Sequence, residues 1–213
     1  MRGFVFAVLI ATTVGVGISG ATAPEPALVA RPGLWTVHIR FTHPQQIVLR
    51  TGLDKKPRRF WYVLLTITNK TGRDVDFYPK CELVTDTFQV IPAGQDVLPS
   101  VFAAVKKRHR TRYPFLESLE STDNRILQGE DNARDIAVIW PDFDSKAKTI
   151  KIFIAGLSNE TAVVEHPVAR DKDGRPVKVF LRKTLELTYA LEGDAARRTA
   201  ANLIYKSNRW VMR

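Results

Sequence analysis

The chain has 213 residues, with 32 lysines and arginines against 22 aspartates and glutamates, so its formal net charge is +10. A single cysteine excludes an internal disulfide, so the fold must be stabilised by its hydrophobic core. The length suits one large domain or two small ones, and the positive excess favours anionic partners without indicating a fold.

Residues 1–23 have the three-part layout of a secretory signal peptide. Arg2 precedes an apolar run over residues 4–18, and small residues then lead to Ala21 and Ala23. The run is shorter than the roughly 20 apolar residues that span a bilayer. We therefore expect cleavage after Ala21 or Ala23, and a protein that is exported to the periplasm or outside the cell.

The first predicted strands follow the leader closely. Residues 35–41 alternate between apolar and polar side chains, which predicts a strand with one buried face, and a second short strand is predicted over residues 45–50. Residues 60–68 are apolar on both faces, which predicts a central strand covered on two sides. We expect Trp61 and Ile67 of this strand to lie in the core.

The next stretch changes from strand to helix. Strands are predicted over residues 75–78 and 82–91. Pro99 then suits the first turn of a helix. Apolar residues follow at three- and four-residue spacing, as an amphipathic helix requires: Leu98, Val101, Phe102 and Val105. We expect this helix to end in a basic run and a second helical turn to form over residues 113–119, so that residues 98–120 make a helical insertion.

Strand patterns resume in the C-terminal part. Residues 171–174 begin like an EF-hand loop, but the closing glutamate is missing, so they predict a hairpin turn. Lys183 interrupts the apolar face of the long strand after that turn. The strands predicted here cover residues 135–140, 149–155, 161–165, 177–191, 203–205 and 210–212.

These elements predict the fold class. Nine or ten short strands with closely spaced turns and one helical insertion are typical of an all-β sandwich, and immunoglobulin-like sandwiches remain open. The inter-sheet disulfide of orthodox immunoglobulin domains is excluded, because the chain has one cysteine. We expect a proline-rich linker over residues 24–33 and a single domain over residues 34–213.

Several segments support a resemblance. They are FWYVLLTITNKTGRDVDFYP from Phe60, ILQGEDNARDIAVIWPDFD from Ile126, IFIAGLSNETAVV from Ile152, RKTLELTYAL from Arg182, and the ending RWVMR. Together they resemble a family of uncharacterised exported proteins of planctomycete-type bacteria. The resemblance spans most of the chain after the leader. It implies a single immunoglobulin-like sandwich with an insertion, and it implies no catalytic residue.

Few residues are spaced for metal binding. His38 and His43 lie close enough in sequence to approach each other, but zinc needs further ligands that no spacing supplies. Glu130, Asp131 and Asp135 gather ahead of a strand, whereas calcium needs six to eight oxygen ligands. We expect surface histidines and a polar loop, with no metal and no cofactor.

Motifs for catalysis are also missing from the sequence. It contains no Gly-x-Ser-x-Gly elbow, no His-Glu-x-x-His and no glycine-rich phosphate loop. Ser118, Ser121 and Ser158 have no recognisable base beside them, and Cys81 is expected to be buried rather than reactive. The sequence therefore predicts a protein that is not an enzyme.

The densest basic run is the candidate anion-binding site. It consists of Lys106, Lys107, Arg108, Arg110 and Arg112. Because the run follows the apolar helical stripe, we expect one side of the helix to dock on the sandwich while the cationic end projects into water. The alternative is a solvated surface of a basic protein.

Three functions remain open at this point. The first is a non-enzymatic binding or scaffolding module of the bacterial cell envelope. The second is a polyanion-binding protein whose basic run contacts lipid head groups or acidic glycan, and the third is an envelope enzyme without a recognisable motif. We expect an envelope protein or an anionic surface as the partner, without specific nucleic-acid recognition. Membrane contact is expected only through the leader or peripherally.

Overall fold

Two β-sheets pack face to face in a computed structural model, which describes residues 25–27, 31–51, 56–193 and 203–213. The predicted leader lies outside the described residues, as do positions 24 and 28–30 of the predicted linker. In chain order the elements are β1 (His38–Phe41), β2 (Gln45–Arg50), β3 (Pro57–Asn69), β4 (Val75–Asp76), β5 (Lys80–Thr85), β6 (Val90–Pro92), α1 (Pro99–His109), β7 (Glu117–Ser118), a 3₁₀ turn (Leu119–Ser121), β8 (Arg125–Ile126), β9 (Gly129–Pro141), β10 (Thr149–Ala155), β11 (Thr161–Arg170), β12 (Pro176–Leu191) and β13 (Leu203–Met212).

The first sheet, sheet I, is built on the strand predicted to be central, β3. Strand β9 pairs with one edge of β3, and β1 and β2 pair in succession with its other edge, all antiparallel. Strand β7 adds a short parallel pair to β9. The alternation of side chains along β3 therefore presents one apolar row to the second sheet and another to the outside of the sandwich.

The second sheet, sheet II, has the order β11-β12-β10-β5-β6, and β13 also pairs with β12. The first half of β12 forms a hairpin with β11, and the second half lies between β10 and β13. The predicted hairpin turn is confirmed, because the backbone amides of Asp173 and Arg175 donate to Oδ1 of Asp171, and Gly174 has a φ of 76°.

The main core lies between the two sheets. Trp61 and Ile67 are both buried there, which confirms the prediction made from the two-sided strand. Its largest contributions come from the inner faces of β3, β9, β10 and β12: Trp61, Val63, Leu65, Ile67, Ile136, Val138, Trp140, Ile150, Ile152, Ile154, Leu185, Leu187 and Tyr189. The all-β sandwich with one short helix is thus confirmed.

Lys183, which interrupts the apolar face of β12, has a partner at the edge of this core. Its ammonium lies 3.1 Å from Oε2 of Glu160 and above the ring of Trp210. The other carboxylate oxygen of Glu160 accepts a hydrogen bond from the backbone amide of Ala27. Burial alone would raise the pKa of Glu160, but these contacts lower it. Lys183 therefore interrupts the apolar face because it forms an ion pair with the buried carboxylate of Glu160.

The prediction of a single strand over residues 82–91 is wrong, because a hairpin divides this stretch into β5 and β6. The amide of Phe88 donates to the carbonyl of Thr85 at 3.1 Å, and the amide of Gln89 donates to Oγ1 of Thr85. Phe88 has a φ of 64°, a conformation that usually requires glycine, and its side chain is 93% exposed. No glycine marks the turn, so the pattern did not indicate it.

Two further boundaries differ from the predictions. Residues 113–119 do not form a helical turn: the amide of Leu116 donates to the carbonyl of Tyr113 in a tight turn, and β7 follows. The predicted short strands over residues 203–205 and 210–212 are parts of one continuous strand, β13. The polar residues between them are exposed on the strand, which is why they resembled a loop.

Candidate anion-binding site

Helix α1 covers the outer face of sheet I. It begins at Pro99, whose missing N–H costs nothing in a first helical turn. Val101 and Val105 are fully buried against the outward row of β3 and its neighbours. This second core contains Ile47, Phe60, Tyr62, Leu64, Leu116, Ala137 and Ile139. The strand is thus covered on both sides, as its sequence predicts, and the helix is fixed to it.

The Tyr62 hydroxyl anchors the C-terminal end of α1. Arg108 donates from Nη1 to this hydroxyl at 3.1 Å and to the carbonyl of Gln46 at 2.8 Å. Nε2 of His109 lies 3.0 Å from the same hydroxyl, which donates to Oε1 of Gln45 at 3.0 Å. Burial, and then the charges of Arg108 and Arg112, lower the pKa of His109, so its ring is neutral at neutral pH.

The structure separates Arg108 from the rest of the predicted site. Arg108 is also exposed, but its guanidinium is hydrogen-bonded back to sheet I. At about 100° per residue, Lys106, Lys107 and Arg110 share one sector of the helix opposite Val105. All three are exposed. Three of the five predicted side chains therefore face solvent from the helix.

Arg112, the fifth, lies just beyond the helix. It is exposed, and its guanidinium lies 5.6 Å from the centre of the Tyr113 ring. Lys106 similarly lies over the ring of Phe102 at 5.9 Å. Within the described part of the chain, Lys106, Lys107, Arg110 and Arg112 make no ion pair with a carboxylate. We refer to these four as the basic cluster.

Phe115 is a neighbour of the basic cluster that the sequence reasoning missed. It occupies the third position of the turn Tyr113–Leu116, and its side chain is 82% exposed, whereas Leu116 is fully buried. A groove of about 250 Å³ has Leu98, the residue before α1, and Phe102 of α1 among its lining residues, together with Ser118 of the returning chain. The returning chain therefore passes beside the part of α1 that carries Phe102.

Four cations on the outer face of sheet II are paired with carboxylates. Glu82 accepts from Lys80 at 2.9 Å and also contacts Arg213. Glu186 accepts from Arg209 at 3.0 Å and from Lys151 at 3.4 Å. Burial tends to raise the pKa of each carboxyl, yet these cationic partners lower both. These four positive charges are thus engaged within the protein.

A cleft at one end of the sandwich also carries positive charge. Its volume is about 530 Å³, and its walls include Trp35, Tyr78 and three arginines. Arg125 lies 3.1 Å from Asp74, and Arg73 donates to a backbone carbonyl at 3.4 Å. The cleft is wide and mixed in charge, so it is a weaker anion site than the basic cluster.

The other sequence candidates do not converge on a metal site. His43 packs against the rings of Tyr189 and Tyr205, away from any acidic ligand set. Glu130 pairs with Lys70, and Asp135 accepts from Thr66 at 2.6 Å. In residues 25–27, 31–51, 56–193 and 203–213, no three His, Cys, Asp or Glu side chains are grouped to hold a metal ion.

The candidate nucleophiles have structural contacts. Ser118 and Ser121 cap the 3₁₀ turn reciprocally, and the hydroxyl of Ser158 donates to the carbonyl of Trp35 at 2.7 Å. Cys81 is buried in the main core, as predicted. Burial raises the pKa of its thiol, which keeps the thiol protonated.

No protein-family model, curated protein or solved structure matches the chain in comparisons with each. The described segments also lack a helix that combines the length and the apolar character needed to cross a membrane.

Proposed function

We propose that the protein is an exported, non-enzymatic β-sandwich module of the bacterial cell envelope that attaches to an anionic surface through the basic cluster. The export follows from the pattern of residues 1–23, and an immunoglobulin-like sandwich is the fold that the sequence resemblance implies. The observation that carries the proposal is a set of four cations without carboxylate partners in the described chain, held at the end of a docked helix.

The anchoring of α1 supports this function. Because Arg108 and His109 hold the helix end to Tyr62, the cations project from a fixed base. Each basic residue brought close to an anionic surface contributes about 1 kcal/mol, so four contribute about 4 kcal/mol without a shaped pocket. Exposed charges more than a Debye length of about 10 Å from their target are screened at 0.1 M salt, so this binding weakens as salt rises.

The experiment compares two variants that lose equal charge. Replacing Lys106, Lys107, Arg110 and Arg112 with glutamine should reduce binding to heparin and to anionic vesicles by about 10³-fold, from the 4 kcal/mol above. The control replaces four exposed cations elsewhere that also have no carboxylate partner in the described chain, Lys146, Lys172, Arg175 and Lys178, so the two variants differ only in where the charge is lost. It should bind nearly as wild type does, and both variants should keep the wild-type melting temperature.

The design leaves Arg108 intact because its guanidinium docks the helix. Equal losses in both variants would mean that net charge, and not the basic cluster, determines binding. A wild-type protein that ignores both anionic probes even at low salt would overturn the proposed function.

A further inference from the structure

The surface around the basic cluster combines exposed apolar side chains with the unpaired cations. Phe115 is 82% exposed on its turn, and Leu98 is 45% exposed at the start of α1. Residues four apart on a helix lie on one flank, so Phe102 and Lys106 of α1 and Arg110 at its C-terminal end form a row that changes from apolar to basic. Ser118, three residues after Phe115 on the returning chain, lines a groove with Phe102.

Phe115 belongs to neither of the two hydrophobic cores described above. Its neighbour Leu116 supplies the buried contact of the turn, and Tyr113 packs at the edge of the same core. Pro114 occupies the second position of the turn, which favours the turn and fixes the backbone next to Phe115. The packing of Tyr113 and Leu116 thus holds the ring of Phe115 in solvent. Phe115 lies three residues after Arg112 of the basic cluster.

From this geometry we propose that the anionic surface is a lipid bilayer, with Phe115 inserting among the acyl chains while the basic cluster contacts the head groups. The inference rests on the proposed function and names its partner. Interfacial binding strengthens with buried apolar area together with attraction to anionic lipids, and this surface offers both. Heparin offers sulfated, hydrated sugars and no acyl layer, so we expect its binding to depend on the charges and little on the ring of Phe115.

The test distinguishes the contribution of the Phe115 ring from that of the charges by measuring the affinity for two probes, anionic vesicles and heparin. Phe115→Ala should weaken binding to vesicles of phosphatidylcholine and phosphatidylglycerol by about tenfold, the effect of burying part of a phenyl ring. The same variant should bind heparin as wild type does. Phe88→Ala is the matched control, since Phe88 is 93% exposed on the β5–β6 hairpin of the other sheet, and it should leave both affinities unchanged.

The outcomes distinguish the inference from the proposed function. If Phe115→Ala binds the anionic vesicles as tightly as wild type, insertion is wrong. If wild type binds heparin but not the vesicles, the partner is an acidic glycan, and the proposed function stands without the inference. If wild type binds neither probe at low salt, the proposed function is overturned together with the inference.

Discussion

The outer faces of the two sheets differ in whether a helix covers them and in whether their cations are paired with carboxylates. Sheet I is covered by α1, so its outward row beneath the helix is apolar, and the basic cluster lies at the end of that helix. Sheet II has no covering helix in the described chain, and its outward face includes four cations paired with Glu82 and Glu186. The comparison shows that the availability of a cation depends on its carboxylate partners and not on its exposure alone.

The largest effect should come from the covered face. Leu64→Ala removes a fully buried side chain beneath α1 and should lower the free energy of unfolding by about 2 to 5 kcal/mol. Val84→Ala, at a half-buried outward position of β5, should cost less than about 1 kcal/mol. Urea unfolding of both variants checks the comparison. Similar losses would mean that the helix does not form a second core on sheet I.

The two faces should also contribute differently to how the free energy of unfolding depends on pH, and this effect should be smaller. The pKa of His109 lies below its ordinary 6.5, so between these values the unfolded state binds more protons and stability falls as the pH drops below about 6.5. The pKa of Glu186 lies below its ordinary 4.5, so its contribution is present above 4.5 and is lost as the pH falls through the folded value. Each contribution should be about 1 kcal/mol or less.

Urea unfolding from neutral to acidic pH measures both windows. His109→Gln keeps a hydrogen-bonding group near Tyr62 and should remove the decline that begins near pH 6.5. Glu186→Gln should weaken only the decline below pH 4.5. A wild-type stability that stays constant down to pH 4.5 would show that His109 is not held neutral against sheet I.

The two sheets and the covering helix could be predicted from the sequence, because strands and helices each have their own spacing of apolar residues. The two apolar rows of β3 required cover on both sides, and Pro99 marked the start of the helix that supplies it. The sequence showed that Lys183 interrupts the apolar face of β12. Its partner Glu160 could not be predicted, because the pairing depends on how β12 meets a loop 23 residues earlier in the chain, which no local pattern encodes.

The details of the site were harder to predict for the same reason. Nothing in the basic run marks Arg108 as the one that turns inward, since its acceptor is a tyrosine 46 residues earlier on β3. Pro114 was the available signal for the turn that exposes Phe115, but the nearby helical spacing suggested a second helical turn instead. The pairing of cations on sheet II depends on the register of β5, β10, β12 and β13.

The most direct measurement is the salt dependence of heparin affinity in wild type and two variants. One variant replaces the basic cluster with glutamine, and the other is Glu82→Gln with Glu186→Gln, which frees the cations of sheet II. A control with the same charge change is Glu165→Gln with Glu192→Gln, both at exposed positions. The account predicts that loss of the cluster abolishes the salt-dependent binding, and that freeing the sheet II cations strengthens binding beyond the control. Unchanged binding without the cluster, or equal binding by the two glutamate variants, would contradict it.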